Sequence, residues 1–186
     1  MNFEEVVKKR ASVRKYSDKL PDIKNLIKCI EIANLAPSPG NIALIKYIII
    51  EDQEKIDEIA EACQQDFIRG SQILIVVCSE QKNAETAYES RGKKYTKQHA
   101  GAVIEHLLLE ITNLGMASCW VGAYSDMILK RILEIPEDID IEAILPIGYQ
   151  SRLDKTMQRK KPVLENRIFF GTWKNKYRKP YTKISD

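Results

Sequence analysis

Arg10, Ser12 and Arg14 occupy alternate positions in the run Arg10-Ala11-Ser12-Val13-Arg14. In extended backbone alternate side chains share a face, so the two guanidiniums and the hydroxyl project together. Such a trio is a charge-assisted hydrogen-bonding surface suited to a phosphate. The same residues also read as the basic end of a short helix, where Lys8, Lys9 and Arg10 favour the macrodipole. The five residues alone do not choose between these readings. Ala36-Pro37-Ser38-Pro39-Gly40-Asn41, about two dozen residues on, is a turn-forming stretch ahead of an apolar strand pattern and adds a second polar segment.

Other chemistries find no support. The eight glycines are isolated, with neither a Gly-x-Gly-x-x-Gly run nor a Walker-type loop. His99 and His106 stand seven apart on one helical pattern, about 10 Å along the axis, too far to share a metal ion. They read as core or surface residues, and no metal site is expected. The serines lack a nucleophile-elbow context. Cys29, Cys63, Cys78 and Cys119 lie far apart in apolar patterns, form no Cys-x-x-Cys pair, and read as buried thiols. An enzyme with this inventory relies on a bound cofactor for its chemistry.

The elements that would position these residues follow from periodicity. Asn2 and Glu5 form a capping box for a helix running to about Lys9. Ile23, Leu26, Ile27, Ile30 and Ala33 mark a second helix after Pro21-Asp22. Strands are expected over Ile45 to Ile50, Ile73 to Cys78, Ser118 to Val121 and Ile141 to Tyr149. A helix through Ile56, Ile59, Ala60 and Cys63 separates the first two, and another begins near Asp126. The longest helix, from about Thr96 to Leu114, is apolar most of the way round, which suits a central core or interface position. Gly115 ends it. Glu80 to Gln98 reads as irregular. After Pro162, Ile168-Phe169-Phe170 is strand-like, and Trp173 and Tyr177 have no evident place in a monomer. The pattern is α+β, with about four strands and five or six helices.

At 186 residues, 44% hydrophobic and 30% charged, the chain suits a single globular domain over 1–186. A formal charge of +3 gives no reason to expect a nucleic-acid partner, although cations gather at Arg159-Lys160-Lys161 and along the tail. No apolar run reaches membrane-spanning length, and the acidic, amphipathic N-terminus does not read as a signal peptide. The expected location is cytoplasmic.

Four segments in order resemble the FMN-dependent nitroreductase family: Arg10 to Arg14; Ala36 to Asn41; Leu114-Gly115-Met116-Ala117-Ser118-Cys119-Trp120-Val121-Gly122; and Leu145-Pro146-Ile147-Gly148-Tyr149 followed by Arg159-Lys160-Lys161-Pro162. The resemblance covers nearly the whole chain. It implies a central, mainly antiparallel sheet flanked by helices, in a homodimer with flavin sites at the subunit interface. It also implies that about 163–186 form a C-terminal extension exchanged between subunits.

By the same resemblance Arg10, Ala11, Ser12 and Arg14 hold the phosphate and ribityl chain of FMN, with a further cation from Arg159 or Lys160. Cys119, Trp120, Val121 and Gly122 pass along the isoalloxazine, with backbone N–H groups near Val121 and Gly122 facing N5. Pro37, Ser38, Pro39 and Asn41 border the flavin of the opposite subunit. The implied activity is hydride transfer from NADH or NADPH through flavin N5 to a small acceptor such as a nitroaromatic or quinone, with no catalytic side chain. Alternatives on the same fold are reductive dehalogenation, oxidation of a bound small molecule, and an FMN carrier or sensor without turnover. Ile42-Ala43-Leu44 stand where the family commonly has Gln-Pro-Trp, and Pro39 replaces a small residue, so the acceptor side of the site departs from the pattern.

Overall fold

The computed structural model describes residues 1–154, 163–164 and 167–176. Its six α-helices are α1 (Phe3–Lys9), α2 (Ile23–Ala33), α3 (Gln53–Cys63), α4 (Lys82–Tyr88), α5 (Gly92–Asn113) and α6 (Asp126–Ile132). Its strands are β1 (Ile45–Ile50), β2 (Ile73–Glu80), β3 (Ala117–Ser118) and β4 (Ile139–Gly148). They form one antiparallel sheet in the order β1-β2-β4-β3. The α+β architecture is as the periodicities require.

Helix starts follow local chemistry. The Asn2 amide oxygen accepts from Glu5 N–H while the Glu5 carboxylate accepts from Asn2 N–H, closing the expected capping box. Asp22 and Asp52 cap α2 and α3 through the backbone N–H groups of Lys24 and Lys55.

β2 is the spine of the sheet, buried along almost its whole length. Ile73, Ile75 and Val77 face a core built with Leu26 and Cys29 of α2 and Val103, Ile104, Leu107 and Ile111 of α5. Leu74, Val76 and Cys78 face a second core with Ile56 and Ile59 of α3 and Leu129 of α6. On β4 the alternation slips. Val77 pairs with Ala143 but Cys78 pairs with Ile141, leaving Glu142 as the extra residue of a bulge. The slip moves Ile141 to the α3/α6 side while Ala143 stays on the α2/α5 side. It also frees Glu142 to accept from Ser79 Oγ and, with Asp140, to hold the Lys97 ammonium of α5 at 2.8 and 2.7 Å. Burial works against the charge of Lys97, but its bonds to the two carboxylates outweigh this and raise its pKa.

Three expectations need correction. The stretch expected as a strand from Ser118 to Val121 is strand only at Ala117–Ser118; the chain leaves the sheet and returns for one bridge, Val121 to Ile144. The Glu80 to Gln98 stretch is ordered: α4 fills its middle and α5 begins at Gly92, a turn earlier than its apolar face suggests. Charged residues concealed this helix because only Ala84 of α4 is buried. Ile168 to Phe170 does not form a strand in the single chain. There Phe169 packs on Trp173, with ring centroids 4.6 Å apart, and Phe170 N–H bonds Asn175 O at 2.9 Å. A strand needs a neighbour with free backbone groups, and none lies beside it among the described residues.

α4 and α5 approach very closely at Gly92. A β-carbon there would stand 2.5 Å from the Ala84 carbonyl group and Glu85 N, all backbone atoms that cannot turn aside. Gly92→Ala is expected to destabilise the fold by about 1–3 kcal/mol. Gly70→Ala, which meets open space, should change it by less than about 0.5 kcal/mol. Urea denaturation of both variants checks the contrast.

Candidate functional site

The strand-like segment after α1 is fastened to the sheet at both ends. Ser12 forms a parallel bridge with Ser118, and Val13 N–H donates to Ser118 O at 3.0 Å. Four residues later Tyr16 bridges Gln150, Ser17 N–H donates to Tyr149 O at 2.8 Å, and Lys15 O accepts from Ser151 N–H at 2.9 Å. Val13 is buried beneath, while Ser12 and Arg14 face outward. The pleat therefore sorts these residues as the alternation predicts.

Tyr16 locks this arrangement. Its hydroxyl donates to Val13 O at 2.8 Å, with Pro146 O at 3.2 Å. Its ring lies so close to Gly148 that a β-carbon there would meet it at 2.9 Å. Burial, reinforced by the neighbouring Cys119 and Asp154, raises the phenol pKa well above its ordinary value. Tyr16 stays protonated and remains a donor. Sequence reasoning missed it because Pro146 and Gly148 lie about 130 positions away and nothing local announces the pairing.

The bridge brings two of the segments singled out in the sequence into one place. Burial raises the pKa of the Cys119 thiol, while Arg14, a hydrogen bond with the Ser12 side chain, and Arg10 pull it the other way. Cys119 thus lies against Ser12 and within the field of both guanidiniums. Arg14 also sits over the Phe67 ring, 5.5 Å from its centroid, a cation–π contact that holds the charge in position. Trp120 is exposed beyond Cys119.

Val121 exchanges both backbone bonds with Ile144 at 3.0 Å, so its N–H is committed to the sheet. Gly122 is exposed, has open space where a β-carbon would stand, and its N–H has no partner among the described residues. Of the two amides expected to face a flavin ring, only that of Gly122 is uncommitted. Ser118 Oγ is buried and likewise unpartnered.

Pro37, Ser38, Pro39 and Asn41 are elsewhere in the same chain. Pro39–Asn41 form a short 3₁₀ turn with Gly40 and Asn41 both left-handed, at φ 57° and 59°. The loop lies over the first half of α5, where it lines a pocket with Gln98, His99 and Ala102. α1 lies against the other half of α5, with the Met1 ammonium on Asn113 at 3.4 Å, and Ser118 follows just beyond. One chain therefore does not bring Pro37 to Asn41 beside Arg10, Ala11, Ser12 and Arg14. Arg159 and Lys160 lie outside the described residues.

The comparisons with known proteins identify the family and the fold. The nitroreductase family model matches residues 7–68 and 60–149. A protein of Archaeoglobus fulgidus, provisionally named an NADH dehydrogenase/NAD(P)H nitroreductase, is 30% identical over 145 residues, covering 75% of this chain and 80% of its own. The chain belongs to the nitroreductase family. Among solved structures, a nitroreductase family protein from Clostridium difficile superposes with a TM-score of 0.80 at 30% identity, over 92% of this chain and 99% of that one. An FMN-dependent nitroreductase from another strain of that species superposes at 0.76, with 22% identity over 90% and 98% of the two chains. At that identity it supports the fold alone.

The residues present in this nitroreductase-family chain fit a flavin mononucleotide. Arg10, Arg14 and Ser12 suit its phosphate, the buried Ser118 hydroxyl is an unspent polar group beside them, and Gly122 leaves room and an N–H for a flat ring. Among the described residues no His, Cys, Asp and Glu cluster could hold a metal ion, and no helix is long and apolar enough to cross a membrane.

All four cysteines are buried and free. Burial pushes the Cys29 thiol up to about 12 and those of Cys63 and Cys78 to about 11, and it raises Cys119 too. Each stays a protonated thiol through pH 8, and the thiolate is the reactive form. A disulfide reagent at pH 8 should modify almost none of them in the native protein and all four after unfolding. Rapid labelling of Cys119 alone in the native state would contradict this.

Proposed function

We propose that this protein is a homodimeric FMN oxidoreductase that takes electrons from NADH or NADPH and delivers them to a small acceptor such as a nitroaromatic or quinone. The observation that carries the reading is the Ser12–Ser118 bridge, which joins the cationic Arg10–Arg14 strand to the Cys119–Gly122 segment. Names of relatives at 30% identity and the match to the family model support it.

In this reading Arg10 and Arg14 neutralise the phosphate, Ser12 donates to it, and a cation from Arg159 or Lys160 completes the set. Phe67 keeps the Arg14 guanidinium from folding back, and Tyr16 keeps the strand at its height above the sheet. Cys119 and Trp120 line one face of the ring, and the Gly122 N–H donates at its edge. When bound, FMN supplies the two-electron carrier that this chain's side chains lack. The protein contributes position and electrostatics, and no side chain acts as a nucleophile.

Two features support the dimer. Pro37 to Asn41 lie on the opposite half of α5 from the arginine strand, so they border a flavin only if it belongs to a second chain. Phe3 and Leu35, each 76% exposed, flank a largely apolar groove with Met1, Val6, Ile32 and Leu109, edged by His106, Glu110 and Asn113. Side chains of this kind, so exposed and so contiguous, suit an interface between subunits. Of the extension from about 163 to 186, residues 165–166 and 177–186 lie outside the described residues; the described part is assigned to the partner's surface.

Arg14→Ala should weaken FMN binding roughly tenfold to a hundredfold, since a hydrogen bond to a charged group is worth about 1.5–3 kcal/mol, while folding stays intact. Flavin titration of the purified variants checks this, and unchanged affinity would remove Arg14 from the phosphate site. Leu35→Glu should shift the protein towards monomer and lower its flavin content together, as read by light scattering with flavin absorbance. A monomer retaining full flavin would overturn the shared site.

A further inference from the structure

Gly122 sits at the crown of a short arch that stands on β4. At one foot Val121 exchanges both backbone bonds with Ile144. At the other the Tyr124 hydroxyl donates to Ile141 O at 2.8 Å. Between the feet Gly122 and Ala123 are exposed. Two further bonds brace the arch from the end of α3. Gln65 Nε2 donates to Ala123 O at 3.2 Å, and Ser125 N–H donates to Ala62 O at 3.1 Å.

The second foot exists because of the Glu142 bulge. In a regular strand successive residues turn their backbone groups to opposite edges, so residues an odd number apart never share an edge. Ile141 and Ile144 are such a pair, and without an extra residue the Ile141 carbonyl would turn towards β2. The bulge inverts the alternation, because Cys78 pairs with Ile141 where Glu142 would otherwise stand. The side chains register the same shift: Ile141 and Ile144 both face the α3/α6 core, while Ala143 faces the other. The Ile141 carbonyl is thereby turned out to the edge where the arch stands, and Tyr124 takes it.

Tyr124 is suited to hold this bond. Its ring packs against the α3/α6 core, which fixes the approach of the hydroxyl. Burial, reinforced by Asp126 and Glu142, raises the phenol pKa above its ordinary value, so the group stays a donor. Under the arginine strand Tyr16 plays the matching part with the Pro146 carbonyl.

We propose that Tyr124 is a positioning residue for the ring-binding amide: by pinning the arch to the Ile141 carbonyl, its hydroxyl presents the Gly122 N–H to the flavin ring. The proposal rests on the flavin reading above and adds to it a side chain that acts through the backbone. An amide held in place before the ligand arrives needs less ordering on binding. Bulge, phenol and amide then form one chain of contacts from the sheet to the ring site.

The test compares wild type with Tyr124→Phe, which removes the hydroxyl and keeps the packed ring. In the full-length, flavin-free protein, NMR relaxation should show the Gly122 N–H ordered in wild type and markedly more mobile in the variant. Titration should show riboflavin and FMN both bound about threefold to tenfold more weakly, since one hydrogen bond's worth of positioning is lost and the phosphate contacts are untouched. With flavin isotopically labelled at N5, the N5 resonance in the variant should move back towards that of free flavin. Unchanged riboflavin affinity in Tyr124→Phe, or a lowered melting temperature with the N5 resonance unmoved, would overturn the proposal. A wild type that binds neither flavin would reject the flavin reading, and the relaxation measurement would then decide whether Tyr124 holds the arch.

Discussion

The parallel bridge between Ser12 and Ser118 is the constraint on which the rest of the candidate site depends. Each segment is unremarkable alone: one is the extended chain after a seven-residue helix, the other the ragged end of a two-residue strand. Paired, they place two guanidiniums, two serine hydroxyls and a thiol within one small volume, with Phe67 steadying one charge and Tyr16 holding the backbone. Guanidiniums and serine hydroxyls gathered in this way are a set of donors suited to a phosphate.

The second constraint is the bulge at Glu142. It lets β4 serve two cores of opposite facing, and it turns one carboxylate towards Lys97 of α5. α5 is thereby tied to β4 in its first half, where the Pro37 loop and its pocket lie, while α1 and the arginine strand attend its second half. The helix thus acts as a spacer. In one chain it holds the Pro37 loop and the Arg10 strand at its two ends.

Much of this was legible in the sequence. The capping box at Asn2 and Glu5, the helix that follows Pro21-Asp22, and the continuous apolar run of β2 are local signals, and local signals reach their structure without help from distant residues. The shared exposure of Ser12 and Arg14 around buried Val13 was readable because alternation is a property of the backbone itself. What escaped was non-local. α4 shows a single buried residue, so its helix is held by packing on α5 at Gly92 and carries almost no amphipathic signature. Tyr16 gains its role from Pro146 and Gly148, and Phe67 from Arg14. The commitment of Val121 N–H to Ile144 depends on where β4 ends up relative to a strand that breaks after two residues. His99 and His106 read as core or surface residues, and only the assembled fold reveals that Nδ1 of each is buried without a partner among the described residues.

The central claim is that Arg10, Ser12 and Arg14 form a phosphate site joined to a ring-binding segment at Ser118. Comparing FMN with riboflavin, which has the same ring and ribityl chain but lacks the phosphate, isolates that claim. Titration of the flavin-free protein with each ligand, followed by quenching of flavin fluorescence, gives the two dissociation constants. Two charge-assisted contacts of about 1.5 kcal/mol each predict that FMN binds at least about 100-fold more tightly. Equal affinity for the two ligands would contradict the account, because the arginine strand would then contribute nothing to binding.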